Sequence, residues 1–223
     1  MKTRPQSQGF TLIELMTVLV IITVLTGMVV GVAGLVNTKT AKARATAEIA
    51  MLSSAAEAYK SDNGTYPKNK DTDSLSPMKD MKPKTSKDSD WVKSNLAFYR
   101  ELTGDKEDEP NAIPDTDQPV YLKEFDPRIV KFDKVEPGKP KKVQYFQDPF
   151  GLPYGYSTSA AEVEREYMAK LRKDSNADRP KGADAKGYNS ATYDLWSTGG
   201  SNPSGDLTGK AADSERAKWI KNW

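Results

Sequence analysis

The feature that most constrains this chain is an uncharged stretch near its N-terminus, from Leu15 to Val36. It is about 22 residues long and consists mostly of valine, isoleucine, leucine and methionine. Roughly 20 apolar residues in a helix cross the ~30 Å hydrocarbon core of a bilayer, so the stretch predicts a transmembrane helix. Glu14 directly precedes it. An ionisable group in a membrane helix is costly and indicates a function, although Glu14 at the membrane interface would need no role.

A short basic leader precedes this stretch, and residues 9–14 read Gly-Phe-Thr-Leu-Ile-Glu. This pattern resembles the class III signal of type IV pilins and type II secretion pseudopilins. The resemblance implies that a prepilin peptidase removes residues 1–9 by cutting after Gly9, that the new N-terminus at Phe10 is methylated, and that Glu14 serves assembly. It also implies a single-pass protein of the bacterial inner membrane, with the N-terminus cytoplasmic before cleavage and a periplasmic head.

The chemistry of the Phe10 amine and the Glu14 carboxylate is consistent with a role in assembly. An N-terminal amine on Phe10 is mostly cationic near neutral pH. A lone amine and a lone carboxylate are both unfavourable when buried. In a staggered filament, the amine of one subunit can neutralise Glu14 of its neighbour, which sets the register more than the strength of the contact.

An ordinary secretory signal is the alternative interpretation of the N-terminus. The start is basic, and residues 31–33 are small enough for a conventional cleavage site. However, Glu14 interrupts the apolar region, and that region is longer than the usual ~7–15 residues. Positive charge does not decide the orientation, because Lys39, Lys42 and Arg44 follow the apolar stretch.

Residues 10–36 are predicted to form the transmembrane part of a long helix, and residues 37–63 its amphipathic continuation. The segment up to Lys60 has no proline or glycine and is rich in alanine, the best helix former. Its apolar residues recur at steps of three and four, which places them on one face; they are Ala45, Ile49, Leu52, Ala56 and Tyr59. Gly64 is suited to ending the helix.

Residues 64–223 predict a globular head that begins with a loop-rich insert. Eight of the 14 prolines lie between Pro77 and Pro140, so residues 68–142 are expected to run mostly as surface loops. One helix is predicted within the insert, capped by Asp90 and ending before Gly104. Residues 120–125 are expected to be extended.

Residues 143–197 are predicted to form the β-sheet region. Strands are expected at 143–147 and 154–158, joined by a turn rich in proline and glycine. The turn, Asp-Pro-Phe-Gly-Leu-Pro-Tyr at residues 148–154, resembles a hallmark hairpin of the major pseudopilins. A helix is predicted at 160–173, a loose polar segment at 174–187, and a last strand at 192–197.

Residues 198–223 are predicted to form a C-terminal loop. Major pseudopilins bind calcium in the corresponding loop, and calcium takes six to eight oxygen ligands. The resemblance therefore suggests a calcium site with Asp206 and Asp213 as carboxylate ligands. The family's first acidic ligand is absent here, because Ser201 occupies its position. A metal-free loop held by Trp219 and Trp223 is the alternative.

The composition limits the remaining functions. The chain has 33 basic and 31 acidic residues, and loss of Lys2 and Arg4 with the leader leaves 31 of each. A balanced mature chain lacks the basic footprint of nucleic-acid binding. Cysteine and histidine are absent, which excludes disulfides and thiolate metal sites and removes the commonest general base. The composition thus favours a structural protein over an enzyme.

The predictions combine into one expected protein. The fold is α+β and type IV pilin-like, with a long N-terminal helix packed on a small antiparallel β-sheet head. The resemblance implies a filament of identical subunits in a type II secretion pseudopilus, which drives protein export across the outer membrane. The implied partners are the prepilin peptidase, an inner-membrane assembly platform, minor pseudopilins and the lipid bilayer. The alternative is a type IV pilus subunit for adhesion, twitching or DNA uptake.

Overall fold

The structure is a computed structural model that describes residues 10–109, 119–133, 137–183, 186–205 and 207–223, leaving out the side chains of 29–35. Its helices are α1 (Leu12–Asn63), α2 (Asp90–Thr103), α3 (Ser159–Leu171) and α4 (Gly209–Arg216). Its strands are β1 (Val130–Phe132), β2 (Val143–Phe146), β3 (Gly155–Ser157), β4 (Asp194–Ser197) and β5 (Ile220–Lys221). The chain divides into two compact units, Met1–Ala41 and Lys42–Trp223.

The first unit contains the beginning of α1. Every residue from Phe10 to Met28 is exposed in the single chain, including the large apolar side chains. Over the part of the chain that the structure describes, no helix combines the length and apolarity needed to cross a membrane. The transmembrane span at residues 10–36 therefore stays a prediction.

The second unit is organised around the remainder of α1. Ala45, Ile49, Leu52 and Ala56 are at most 5% exposed, so the predicted apolar face does pack against the head. The helix ends at Asn63, where Gly64 takes a positive φ of 73° and its N–H donates to Lys60 O at 2.8 Å. Glycine adopts this left-handed conformation without the penalty that a side chain imposes.

Helix α2 confirms the predicted helix but not its cap. Ser89, rather than Asp90, is the N-cap, and its hydroxyl accepts a hydrogen bond from Val92 N. Serine and aspartate are both good caps, so sequence alone did not separate adjacent candidates. At the other end, Gly104 has φ 70° and donates to Arg100 O. The helix packs on β2 and β3, and the rings of Phe98 and Tyr156 stack at 3.9 Å.

The strands form two small antiparallel sheets, β1-β2 and β3-β4-β5. The predicted hairpin is therefore only partly correct: the turn after β2 is present, but β2 and β3 pair with different strands. Between them there is an isolated bridge from Gln147 to Pro153. Strand β1 occupies the edge of β2, with Val130 opposite Phe146. Strand β1 was not predicted from the sequence, because this strand is only three residues long and lies inside the proline-rich insert.

Two further expectations need correction. Residues 120–125 contain no strand; Tyr121 N and Leu122 N instead both donate to Leu102 O at the end of α2. The expected C-terminal loop, 198–223, contains helix α4 and strand β5. Strand β5 forms because the edge of β4 is open to it, and it places Ser197 opposite Ile220.

The C-terminal segment closes a second hydrophobic cluster separate from the main core. The cluster joins α2, β4 and the chain end through Trp91, Trp196 and Trp219. Trp196 stacks on Trp219 with ring centroids 5.9 Å apart, and Trp91 meets Trp196 edge-on at 5.4 Å. Burial of these large rings supplies much of the apolar area that holds the tail on the head.

Candidate functional site

The candidate site lies at the start of α1, where Thr11 and Glu14 form a capping box. Thr11 N and Thr11 Oγ1 both donate to Glu14 Oε2, at 2.8 and 2.7 Å. Glu14 N in turn approaches Thr11 Oγ1 at 3.4 Å. A threonine followed three residues later by glutamate satisfies otherwise unpaired N–H groups at a helix start. The Thr-Leu-Ile-Glu pattern thus has a local structural role that the sequence analysis missed.

The residues around the capping box are open to a partner. Phe10 is 79% exposed and Leu12 is 77% exposed. Gly9, the predicted cleavage residue, lies outside the described residues. Both hydrogen bonds from Thr11 to Glu14 use Oε2, so among the described residues Oε1 has no hydrogen bond and could face a cation. An exposed carboxylate beside exposed apolar side chains suits a site that a second molecule covers.

Farther along α1, buried polar contacts attach the helix to the head. Glu48 accepts hydrogen bonds from Tyr154 Oη at 2.6 Å and Arg44 Nε at 2.6 Å. Burial and the neighbouring Glu48 raise the pKa of Tyr154, so its hydroxyl remains a donor. Tyr154 ends the turn that resembles the pseudopilin hairpin. The turn at residues 148–154 therefore holds α1 against the head through Tyr154.

The beginning of the same turn is tied to β4. Asp148 accepts hydrogen bonds from Phe150 N, Leu152 N and Ser197 Oγ, at 3.0, 2.9 and 2.5 Å. Burial raises the pKa of this carboxyl, and the three hydrogen bonds oppose the rise. Gly151 has φ 82° and completes the turn.

Of the two predicted calcium ligands, the structure describes only Asp213. Asp206 lies outside the described residues. Asp213 lies on α4, is largely exposed, and forms an ion pair with Arg216 at 2.7 Å. Among the described residues there is no group of three or more acidic side chains that could hold a metal. Near the loop, Glu215 Oε1 and Thr198 Oγ1 are buried without a hydrogen-bond partner in the described chain.

Comparison with known proteins identifies the N-terminal feature. A family model described as the prokaryotic N-terminal methylation motif matches residues 4–30. No curated protein and no solved structure matches the chain. The motif together with the α+β fold indicates a type IV pilin-like prepilin. The match covers the leader and the start of α1, so it supports a structural subunit that a prepilin peptidase processes and that assembles into a filament.

Proposed function

We propose that this chain is a structural subunit of a type II secretion pseudopilus. Identical subunits, extracted from the inner membrane by an assembly platform and joined by minor pseudopilins, would form a periplasmic fibre that drives export across the outer membrane. The observation that carries the proposal is the capping box on an exposed apolar helix, within the residues that match the methylation motif. The turn from Asp148 to Tyr154 supports the pseudopilin assignment, because it combines the resemblance with a defined role in holding α1.

A type IV pilus subunit is the second candidate. The methylation motif is shared by both kinds of filament, so it favours neither. The absence of cysteine favours the pseudopilus, since type IV pilins usually carry a C-terminal disulfide and this chain has no cysteine. Deleting the gene separates the two: loss of protein export supports the pseudopilus, whereas loss of twitching or DNA uptake with normal export supports the pilus.

The proposed assembly step uses both oxygens of Glu14. Thr11 holds Oε2 inside the capping box, so the carboxylate is oriented before a neighbour arrives. The methylated amine of Phe10 from an adjacent subunit would then approach Oε1. In an apolar filament core, a pair of opposite charges is tolerated, whereas either charge alone is strongly unfavourable. Subunits stored in the bilayer, with residues 10–36 in the membrane, would therefore join in one register.

Mass spectrometry of the mature protein tests the processing. The expected mass corresponds to loss of residues 1–9 and addition of one methyl group at Phe10. Replacing Gly9 with a bulky residue should leave the precursor uncut in the membrane. A mature N-terminus near residue 34 would instead show an ordinary secretory signal and refute the prepilin assignment for this chain.

Filament yield tests the role of Glu14. Glu14→Leu should still insert and be cleaved, because removing a charge makes insertion easier. Assembly should fail, because the amine of the neighbour loses its counter-charge. Met16→Leu, an apolar change two residues away in the same exposed part of α1, is the matched control and should assemble normally. Normal filaments from Glu14→Leu would refute the pairing.

We also propose that the segment from Thr198 to Asp213 binds one calcium ion, with Asp206 and Asp213 as carboxylate ligands. Gly199 and Gly200 both have positive φ, at 65° and 83°, which turns their carbonyls in ways that other residues rarely allow. The buried oxygens of Thr198 and Glu215, unpartnered in the described chain, are further oxygen ligands of the kind calcium prefers. Calcium would have to compete with Arg216 for Asp213.

Thermal melts of the mature chain in neutral detergent test the calcium proposal. Calcium at about 100 times its Kd would stabilise the head by about 2.7 kcal/mol relative to chelator. Asp206→Asn and Asp213→Asn should each reduce that difference, while Asp178→Asn, an exposed control elsewhere, should preserve it. Each variant is compared with itself in chelator, because Asp213→Asn also breaks the ion pair with Arg216. Equal midpoints with calcium and chelator would show that the loop is metal-free.

A further inference from the structure

A cavity of about 570 Å³ lies on the second unit, between the end of α1, helix α3 and the segment before β4. We call it the α3 cavity. Its walls include Lys60, Lys68, Ala161, Met168 and Ala191. The capping box and the turn at residues 148–154 contribute no residue to its described lining. Its volume falls in the range of about 300–1,000 Å³ that is typical of sites for organic ligands.

The α3 cavity contains apolar surface of a kind that the rest of the second unit buries. Among the large apolar side chains described in that unit, only Met168 and Tyr188 are exposed. Met168 is 48% exposed and lines the cavity, and Ala161 and Ala191 add methyl groups to the same walls. Methionine is flexible and polarisable, so it adapts to ligands of irregular shape. Apolar surface left exposed in a concave site indicates a place where another molecule binds.

The acidic side chains of the α3 cavity are already paired within the chain. Glu162 pairs with Arg165, and Glu164 pairs with Arg179 at 3.1 Å. Lys68, which also lines the cavity, makes no ion pair in the part of the chain that the structure describes. The carboxylates of α3 therefore do not neutralise Lys68.

The other lysine of the cavity, Lys60, is held by a tyrosine. Lys60 Nζ donates to Tyr66 Oη at 3.1 Å and lies 4.4 Å from the centroid of the Tyr66 ring. Tyr66 Oη in turn donates to Glu57 Oε1 at 2.8 Å. The counter-charge of Lys60 is thus one hydrogen-bonded group away, and its ammonium group is part of the fixed wall. Lys68 is the cation that remains for a ligand.

We propose that the α3 cavity binds a small organic molecule with an apolar body and a single carboxylate. The apolar body would cover Met168 and Ala161. The carboxylate would pair with Lys68, because an anion taken out of water needs a counter-charge. Thr65 and Ser190 line the cavity with hydroxyls that form no hydrogen bond in the described chain, so they can donate to the carboxylate oxygens. One unpaired ammonium group matches one negative charge, which favours a monocarboxylate over a phosphate.

Methyl NMR of the full mature chain in neutral detergent tests the proposal, with phenylbutyrate as the probe because it carries one carboxylate on an apolar body. The methionine methyl groups are isotope-labelled, and Met168→Leu assigns the signal of Met168. That signal should shift in a saturable way as the probe is added. The signals of Met78 and Met81, which do not line the cavity, should stay unchanged. The signal of Met16, on the exposed start of α1, reports partitioning of the probe into detergent.

Matched variants and a matched probe isolate the charge pair. Lys68→Gln should weaken phenylbutyrate binding about five-fold, the loss expected for one close charge pair in water. Lys141→Gln removes the same charge from an exposed position before β2 and should weaken binding less than about two-fold, because salt screens distant charges. Phenylbutyramide, the neutral analogue, should bind the wild type and Lys68→Gln equally, which also shows that the variant is folded.

Several results would overturn the proposal. The first is the absence of a saturable shift of the Met168 signal. The second is equal weakening by Lys68→Gln and Lys141→Gln, and the third is binding of the amide to the wild type as tight as that of the carboxylate. A Met168 signal that shifts on filament assembly but not with phenylbutyrate would also overturn it, in favour of a neighbouring subunit. The titrations use unassembled chains, so their outcome is independent of the proposed pseudopilus.

Discussion

Asn95 on α2 adds side-chain hydrogen bonds between the end of β2 and Tyr154, whose N–H also donates directly to Phe146 O at 3.1 Å. The Asn95 side chain is fully buried. Asn95 Nδ2 donates to Phe146 O at 3.0 Å and to Tyr154 O at 2.7 Å, and Oδ1 accepts from Phe146 N at 2.6 Å. One amide therefore bridges the end of β2 and the residue before β3. We predict that Asn95→Ala severely destabilises the head.

The expected magnitude follows from these three contacts. Each of the two hydrogen bonds that Asn95 Nδ2 donates contributes about 1 kcal/mol, and the buried N–H of Phe146, once left unpaired, costs about 1–3 kcal/mol. The total loss is about 3–5 kcal/mol, a large part of the ~5–15 kcal/mol that stabilises a typical domain. With a urea dependence of about 2 kcal/mol/M, the unfolding midpoint should fall by about 2 M.

Urea unfolding of the mature chain in neutral detergent, followed by tryptophan fluorescence, measures this shift. Asn95→Leu separates the hydrogen bonds from packing, because leucine fills a similar volume without polar groups; it should be nearly as unstable as Asn95→Ala. Asn176→Ala, at an exposed position after α3, is the control and should change the midpoint little. Wild-type stability of Asn95→Leu would refute the bridging role of the amide.

Three further predictions concern other parts of the chain. Burial raises the pKa of Asp148. The stability that this carboxyl contributes is therefore present below the ordinary carboxyl pKa and is lost as the pH rises through the folded-state pKa. The urea midpoint of Asp148→Asn should therefore increase relative to that of the wild type as the pH rises from about 3 to 7. Gly155→Ala would place a methyl group 2.2 Å from Trp196 Cε2 and should destabilise the head by about 1–3 kcal/mol in the same assay, whereas Gly205→Ala, with open space around it, should be near neutral. Thr11→Val removes the hydroxyl of the capping box, so amide exchange at Glu14 should accelerate. Thr17→Val, whose hydroxyl donates to Ile13 O within α1, should not affect it.

Much of the helical architecture was predictable because its signals are local. The spacing from Ala45 to Ala56 predicted the buried face of α1, and Gly64 predicted its end, because helical periodicity and a left-handed glycine depend on neighbouring residues. The same reasoning found α2, α3 and β4 to within a few residues. It failed at β1 and at residues 120–125, since a strand exists only when a distant edge is available to pair with it.

The candidate site shows the same difference between features set by neighbouring residues and features set by distant ones. The sequence predicts Phe10 and Glu14 as site residues from a short contiguous motif, and both lie within residues 4–30, which match the methylation motif. The capping role of Thr11 is also local, because a threonine three residues before a glutamate at a helix start is the pattern of a capping box.

The sequence by itself determined the prepilin-type N-terminus, the long helix with one apolar face and the α+β class, because each depends on residues close together in the chain. Only the tertiary structure decided which strands pair, that Asn95 joins the two sheets, and that Tyr154 reaches Glu48 on α1. It also decided that the chain end forms α4 and β5 on the open edge of β4. These contacts join residues far apart in sequence, so no local pattern in the chain specifies them.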